Sequence, residues 1–298
     1  MLAFDILSQE LKSKVIQIQQ PKEIYVLAEI GINHNGNLEL AKEMIDMACD
    51  AGCDAVKFQK RTIPIVYSQS ELEKVRESPW GTTQLEQKKG LEFNEAQYDE
   101  IDLYCKKLGI TWFASAWDEN SLKFLEKYNL KHNKIASAMI TKLDFLEKVA
   151  SYKVHTFIST GMTELKDIEI AVKIFKKNNC KFTLMHTVSA YPCPDDQLNL
   201  INILYLKEKF KCEVGYSGHE VSVSPSIMAA IFGATCIERH ITLDRSMYGS
   251  DQAASLEEPG LKRLVTILRK LPSYIGSKRS NILECEINVA KKLRYWKN

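Results

Sequence analysis

Two histidines stand where apolar runs give way to polar, glycine-bearing stretches: His219 in Gly215-Tyr-Ser-Gly-His-Glu and His240 in Thr235-Cys-Ile-Glu-Arg-His. An isolated histidine at a strand end is more often a hydrogen-bonded core residue, but two on neighbouring strand ends can share one metal ion. Two imidazoles leave several coordination positions for water and a substrate oxygen. That suits a Lewis-acid ion such as Mn2+ better than a closed structural zinc site. Two lysines, Lys57 and Lys134, lie inside other apolar runs, where an ammonium is costly to bury without a partner. With serine hydroxyls at the same level, a buried anion is the expected partner, and phosphate is a natural candidate. The alternative is that each lysine pairs with a carboxylate such as Glu29. His34 and His186 are secondary candidates, and His132 and His155 precede their runs and read as structural.

These residues need a scaffold that brings strand ends together. Short apolar runs start at Tyr25, Ala55, Thr111, Asn133, Thr156, Phe182, Glu213 and Thr235, with amphipathic helical segments between them, such as Leu38 to Ala51 and Ser121 to Tyr128. Strand–helix alternation implies a parallel sheet. Eight such units predict an α/β fold, a (β/α)8 TIM barrel, in which active residues sit where strands end. The strand ends carry Glu29; Lys57 and Gln59; Ser115, Trp117 and Asp118; Lys134 and Ser137; Ser159; His186 and Tyr191; Ser217 and His219; Glu238 and His240. Asp251 follows in the last loop. The longest interruption, residues 61–92, reads as a functional or mobile loop. Residues 1–22 read as an N-terminal extension with a helix from Phe4 to Ile18, 23–272 as the barrel, and 273–298 as a helical tail. The tail's apolar face (Ile287, Ala290, Leu293) is expected to dock on something.

The chain has 298 residues, 40 basic and 38 acidic, for a net charge of +2. That balance argues against nucleic acid as the main partner. No stretch approaches the ~18 apolar residues of a membrane span, and the first residues lack the features of a signal peptide. Eight cysteines without a Cys-x-x-Cys pair fit reduced thiols in a cytoplasmic protein.

Ala28-Glu-Ile-Gly-Ile-Asn-His-Asn-Gly, Val56-Lys-Phe-Gln, Lys134-Ile-Ala-Ser, Ile158-Ser-Thr-Gly-Met, Gly215-Tyr-Ser-Gly-His and Glu238-Arg-His-Ile-Thr-Leu-Asp-Arg together resemble the sialic acid synthase (N-acetylneuraminate synthase) family, in order and spacing. The resemblance implies a barrel enzyme that condenses phosphoenolpyruvate with an amino sugar aldehyde and water. The product would be a nine-carbon 2-keto-3-deoxy acid, with phosphate released and Mn2+ or Mg2+ as cofactor. It implies that Lys57, Ser115, Lys134, Ser137, Ser159 and Ser217 hold phosphoenolpyruvate and that His219 and His240 hold the metal. Gln59, Trp117, Tyr191 and Asp251 would face the acceptor, with Glu29, Lys57, Lys134 and Asp251 in catalytic roles. A homodimer is the expected assembly. Two departures bear on the acceptor. Ser137-Ala138-Met139 lacks the carboxylate that most members carry there, and the antifreeze-like C-terminal domain into which many members continue is not expected within residues 273–298.

Overall fold

The computed structural model describes residues 23–277 and 279–297. Its strands, in chain order, are β1 (Tyr25–Gly31), β2 (Ala55–Lys60), β3 (Val75–Ser78), β4 (Gly81–Thr83), β5 (Thr111–Ala116), β6 (Asn133–Ile135), β7 (Thr156–Ser159), β8 (Phe182–Thr187), β9 (Glu213–Gly218) and β10 (Cys236–His240). All but β3 and β4 are parallel neighbours in a closed barrel ordered β1-β10-β9-β8-β7-β6-β5-β2. Strands covered on both faces must be apolar on both, which is why they read as unbroken runs. The predicted barrel is therefore present. Its fourth strand is shorter than its run, because the backbone turns into a 3-10 helix at Ser137–Met139.

The helix after β1, Leu38–Ala51, shows how the units close. Asn37 caps it by accepting the Glu39 N–H at 2.8 Å, an interaction typically worth about 1 kcal/mol. Ala41, Met44, Ile45 and Ala48 are buried against the barrel, and left-handed Gly52 (φ 82°) stops the helix. The last barrel helix is Glu258–Ile275, seated by Leu261, Leu264, Val265, Leu268 and Leu271.

The barrel interior is layered by the two-residue period of its strands. Near one end lie Leu27, Ala55, Phe113, Phe157, Met185 and Cys236, bordered by His132 and His155, whose Nδ1 atoms are 3.1 Å apart. Two residues further along the same strands come Glu29, Lys57, Ser115, Ser159, Thr187 and Glu238, all buried. An apolar layer thus supports a polar one at the strands' C-terminal ends. His132 and His155 belong to the opposite end, as expected of structural residues.

Residues 61–92 hold far more regular structure than their lack of periodicity suggests. They form the short helices Ile63–Val66 and Gln69–Leu72, the β3–β4 hairpin and the helix Gln84–Leu91. Local polar chemistry builds them: Ser68 caps one helix, and a Thr83–Glu86 capping box starts another. The segment also packs against the loop after β1. Gly36 has φ +67°, and a Cβ there would lie 1.9 Å from the Gly90 carbonyl oxygen, so a side chain cannot fit.

The tail forms the predicted helix, Glu284–Leu293, but none of its residues is buried among the described residues. Ile287 and Leu293 remain exposed, so the docking expected of this face is not made there. The helix expected from Phe4 to Ile18 lies outside the described residues. Among the described residues, no helix is long and apolar enough to cross a membrane, and all eight cysteines are free.

Candidate active site

The polar layer forms a compact network. The Lys57 ammonium lies 2.5 Å from Glu29 Oε2 and 3.8 Å from Glu238 Oε1, and donates to Ser115 Oγ at 3.1 Å. Lys134 donates to Glu238 Oε2 at 2.8 Å, while the Ser217 hydroxyl donates to Glu238 Oε1 at 3.0 Å. Gln59 Nε2 donates to Glu29 Oε1 at 2.8 Å. The strand register explains these pairs: Glu29 is opposite Lys57, Ser115 opposite Lys134, and Glu238 opposite Ser217.

The carboxylate alternative for the lysines is therefore the one the structure shows, with Glu29 beside Lys57 and Glu238 beside Lys134. Neither lysine is unpaired; Glu29 and Glu238 balance them, and with all four groups ionised the net charge of the set is zero. Burial would raise the Glu238 carboxyl, but the Lys134 and Lys57 ammoniums overcome it and hold the group below the ordinary carboxylate range. Burial lowers Lys134, against the attraction of Glu238. An anion entering beside the lysines gains two cations fixed in place before it arrives. Ser115, Ser159 and Ser217 are buried in the same layer. Ser137 lies at its edge, where its Oγ accepts the Gly161 N–H at 3.1 Å.

The histidines lie one step further out. Their ring centroids are 5.4 Å apart. His219 Nδ1 is 2.7 Å from the Val188 carbonyl, so Nδ1 carries the hydrogen and Nε2 keeps its lone pair. Burial first, then the His240 ring, pushes His219 down to about 3, leaving it neutral at pH 7. His240 Nδ1 is buried without a hydrogen-bond partner, and Asp251 Oδ2 is 3.8 Å away. A neutral His219 and a His240 with an orphaned ring nitrogen would suit a divalent cation. No group of three or more His, Cys, Asp or Glu side chains that could hold a metal is present among the described residues, so the other ligands would be water and substrate. The secondary candidates are engaged elsewhere: His34 Nδ1 accepts the Gly36 N–H, and His186 bonds the Leu198 carbonyl.

The two groups share one mouth. A Cβ built on Gly31 would lie 3.1 Å from Glu29 Oε1, 3.2 Å from Gln59 Nε2 and 3.5 Å from His240 Cε1. The Tyr191 ring lies 4.0 Å from that of His219. Trp117 stands at the rim, with the Arg61 guanidinium 4.2 Å from its ring. Asp118 caps the next helix and holds Thr62 through its N–H at 2.7 Å, which anchors the chain beside Arg61. Met139, in the stretch that lacks the carboxylate the resemblance attributes to most members, is buried.

Sequence reasoning placed Glu238 on its strand but gave it no role. The available signal was its spacing: Glu238 and His240 are two apart on one strand and so share a face. A second pair was missed on the opposite face. Arg239 NH1 meets Glu220 Oε1 at 2.9 Å, Ser226 Oγ at 3.0 Å and the Ser222 carbonyl at 2.8 Å, while Tyr216 donates to Glu220 Oε2 at 2.7 Å. Glu220 follows His219 and Arg239 precedes His240, so this pair ties together the two histidine-bearing strand ends. Glu220→Ala leaves Arg239 buried without its counter-charge. It is expected to cost about 3–5 kcal/mol, read as a lower denaturant midpoint; an unchanged midpoint would refute this.

Comparisons with known proteins show what the chain as a whole is similar to. The profile of the NeuB family matches residues 44–280. The chain is 37% identical over 272 residues to N-acetylneuraminate-9-phosphate synthase of Homo sapiens, covering 90% of this chain and 76% of that protein. It is 36% identical to N,N'-diacetyllegionaminic acid synthase of Campylobacter jejuni, covering 91% and 84%. A crystal structure of N-acetylneuraminic acid (sialic acid) synthetase from Leptospira borgpetersenii, in complex with citrate, superposes with a TM-score of 0.79 at 31% identity, covering 92% of this chain and 93% of that one.

Proposed function

The chain belongs to the NeuB family, and from that premise we propose that it condenses phosphoenolpyruvate with an N-acetylhexosamine aldehyde, such as N-acetylmannosamine, and water. The product is a nonulosonic acid for a surface glycan, with phosphate released. One observation carries this reading: a buried lysine pair suited to an anion and a histidine pair suited to a divalent cation meet at one barrel mouth. They are joined by Glu238 and His240 on a single strand.

Lys57 and Lys134 bind the carboxylate and phosphate of phosphoenolpyruvate, with hydroxyls from Ser115, Ser137, Ser159 and Ser217. His219 and His240 hold Mn2+ or Mg2+, which when bound supplies Lewis-acid polarisation of the acceptor aldehyde. Gln59, Trp117, Tyr191 and Asp251 orient the sugar so that its C1 faces C3 of phosphoenolpyruvate. The C3–C1 bond forms, the aldehyde oxygen takes a proton, and positive charge develops at C2. Glu29 and Glu238 stabilise that charge. Water adds to C2 and gives up a proton to Glu29 or Asp251. The resulting tetrahedral centre loses phosphate by C–O cleavage, and its hydroxyl loses a proton to leave the ketone.

The test is an acceptor screen read by phosphate release and product mass, with N-acetylmannosamine, diacetamido-hexoses, mannose and arabinose 5-phosphate. The expected result is one phosphate per nine-carbon acid, lost on chelation and restored by Mn2+ or Mg2+. Release of pyruvate, or a seven- or eight-carbon acid as the main product, overturns the reading.

A further inference from the structure

His219 and His240 stand just past the point where their strands stop pairing. The register of β9 on β10 runs through Tyr216 with Ile237 and Ser217 with Glu238, and ends at Gly218 with Arg239. The histidines are the next residue on each strand. Each has an anchor of its own: His219 Nδ1 on the Val188 carbonyl, and the His240 backbone beside Glu29 of β1. Neither anchor relates one histidine to the other. Tyr191 touches both rings but is exposed. An ion shared by the two rings needs a bond of roughly 2 Å to each, so their spacing has to be held by something firmer.

The Arg239–Glu220 pair spans that gap from the face opposite the rings, and both of its side chains are fully buried. The Arg239 guanidinium, on β10, grips the loop after β9 by its backbone. It donates to the Glu220 carbonyl and to the Ser222 carbonyl at 2.8 Å, as well as to the Glu220 carboxylate at 2.9 Å. Glu220 is oriented in turn by the Tyr216 hydroxyl and by the Ser226 hydroxyl, which donates to Oε1 at 3.0 Å. Gly218 makes room for this fold-back, since a Cβ there would lie 2.4 Å from Glu220 Oε2. A guanidinium presents its donors in one rigid plane, which an ammonium cannot do. The pair carries no net charge, so it acts on a cation at the histidines through position.

We infer that Arg239 and Glu220 are positioning residues for the divalent cation: the clasp they form fixes the spacing of His219 and His240 and thereby sets metal affinity. This rests on the reading of those histidines as the metal pair. Groups that orient metal ligands from behind typically contribute about tenfold to a hundredfold in affinity.

The test uses Arg239→Lys, which keeps a cation beside Glu220 but loses the fork, and Ser226→Ala, a milder change that removes one bond from each partner. Calorimetric titration with Mn2+ below each variant's melting temperature is expected to show about tenfold weaker binding for Arg239→Lys. Ser226→Ala should weaken it by roughly threefold, the lower end of a hydrogen bond's value. In assays the Mn2+ concentration for half-maximal activity should rise in step. Saturating Mn2+ should restore kcat, with KM for phosphoenolpyruvate unmoved. A role confined to stability predicts folded variants that bind Mn2+ as the parent does. That result overturns the inference, as does a loss of kcat that Mn2+ does not recover. If Arg239→Lys does not fold, the Ser226→Ala titration decides. A parent that binds no Mn2+, or whose Mn2+ affinity survives His240→Ala, overturns the metal reading and this inference with it.

Discussion

Replacing His240 by alanine is expected to abolish divalent-cation binding and to lower turnover by roughly a thousandfold or more, the scale of removing one preorganised electrophilic contact. That is about 4 kcal/mol of transition-state stabilisation. The fold should survive. The side chain lies at the mouth above the apolar layer, and its ring nitrogen Nδ1 has no hydrogen-bond partner to lose. The strand exit is held by the backbone, where the His240 carbonyl accepts the Leu256 N–H at 2.8 Å. Calorimetric titration with Mn2+, phosphate release and a thermal melt separate the three quantities. A variant that binds Mn2+ as the parent does, or a parent enzyme that works after thorough chelation, would remove His240 from the metal site.

The contrast between His240 and its neighbours shows what was legible in the sequence. The barrel was readable because parallel strands covered on both faces leave apolar runs, and helices between them leave a 3.6-residue period. The positions of Lys57, Lys134, His219 and His240 followed from that register, since a strand end in such a barrel opens onto the site. Partners across the barrel were not readable. Glu238 meets Lys134 across 104 positions of sequence, and no local pattern encodes that. The Arg239–Glu220 pair was hidden for a related reason: it lies on the face opposite the histidines, where charge was not expected. The segment 61–92 was underread because capping boxes and a hairpin, not periodicity, shape it.

Lys134→Met should have two separable consequences, because Lys134 serves both Glu238 and the incoming anion. Glu238 keeps Ser217 at 3.0 Å and the more distant Lys57 at 3.8 Å but loses its 2.8 Å partner. A buried carboxylate left short of its counter-charge typically costs about 3–5 kcal/mol, so the midpoint of unfolding should fall. KM for phosphoenolpyruvate should rise by roughly tenfold to a hundredfold, the value of a charge-assisted hydrogen bond, with KM for the sugar little changed. The double variant Lys134→Met/Glu238→Gln resolves the two effects. Removing both charges should restore most of the lost stability, since a buried pair replaced as a unit is often close to neutral. Phosphoenolpyruvate binding should remain weak, because the missing cation is not replaced. If the double variant instead recovers phosphoenolpyruvate affinity along with stability, Lys134 acts by supporting the fold. If Lys134→Met moves only the sugar's KM, the anion belongs elsewhere in the barrel.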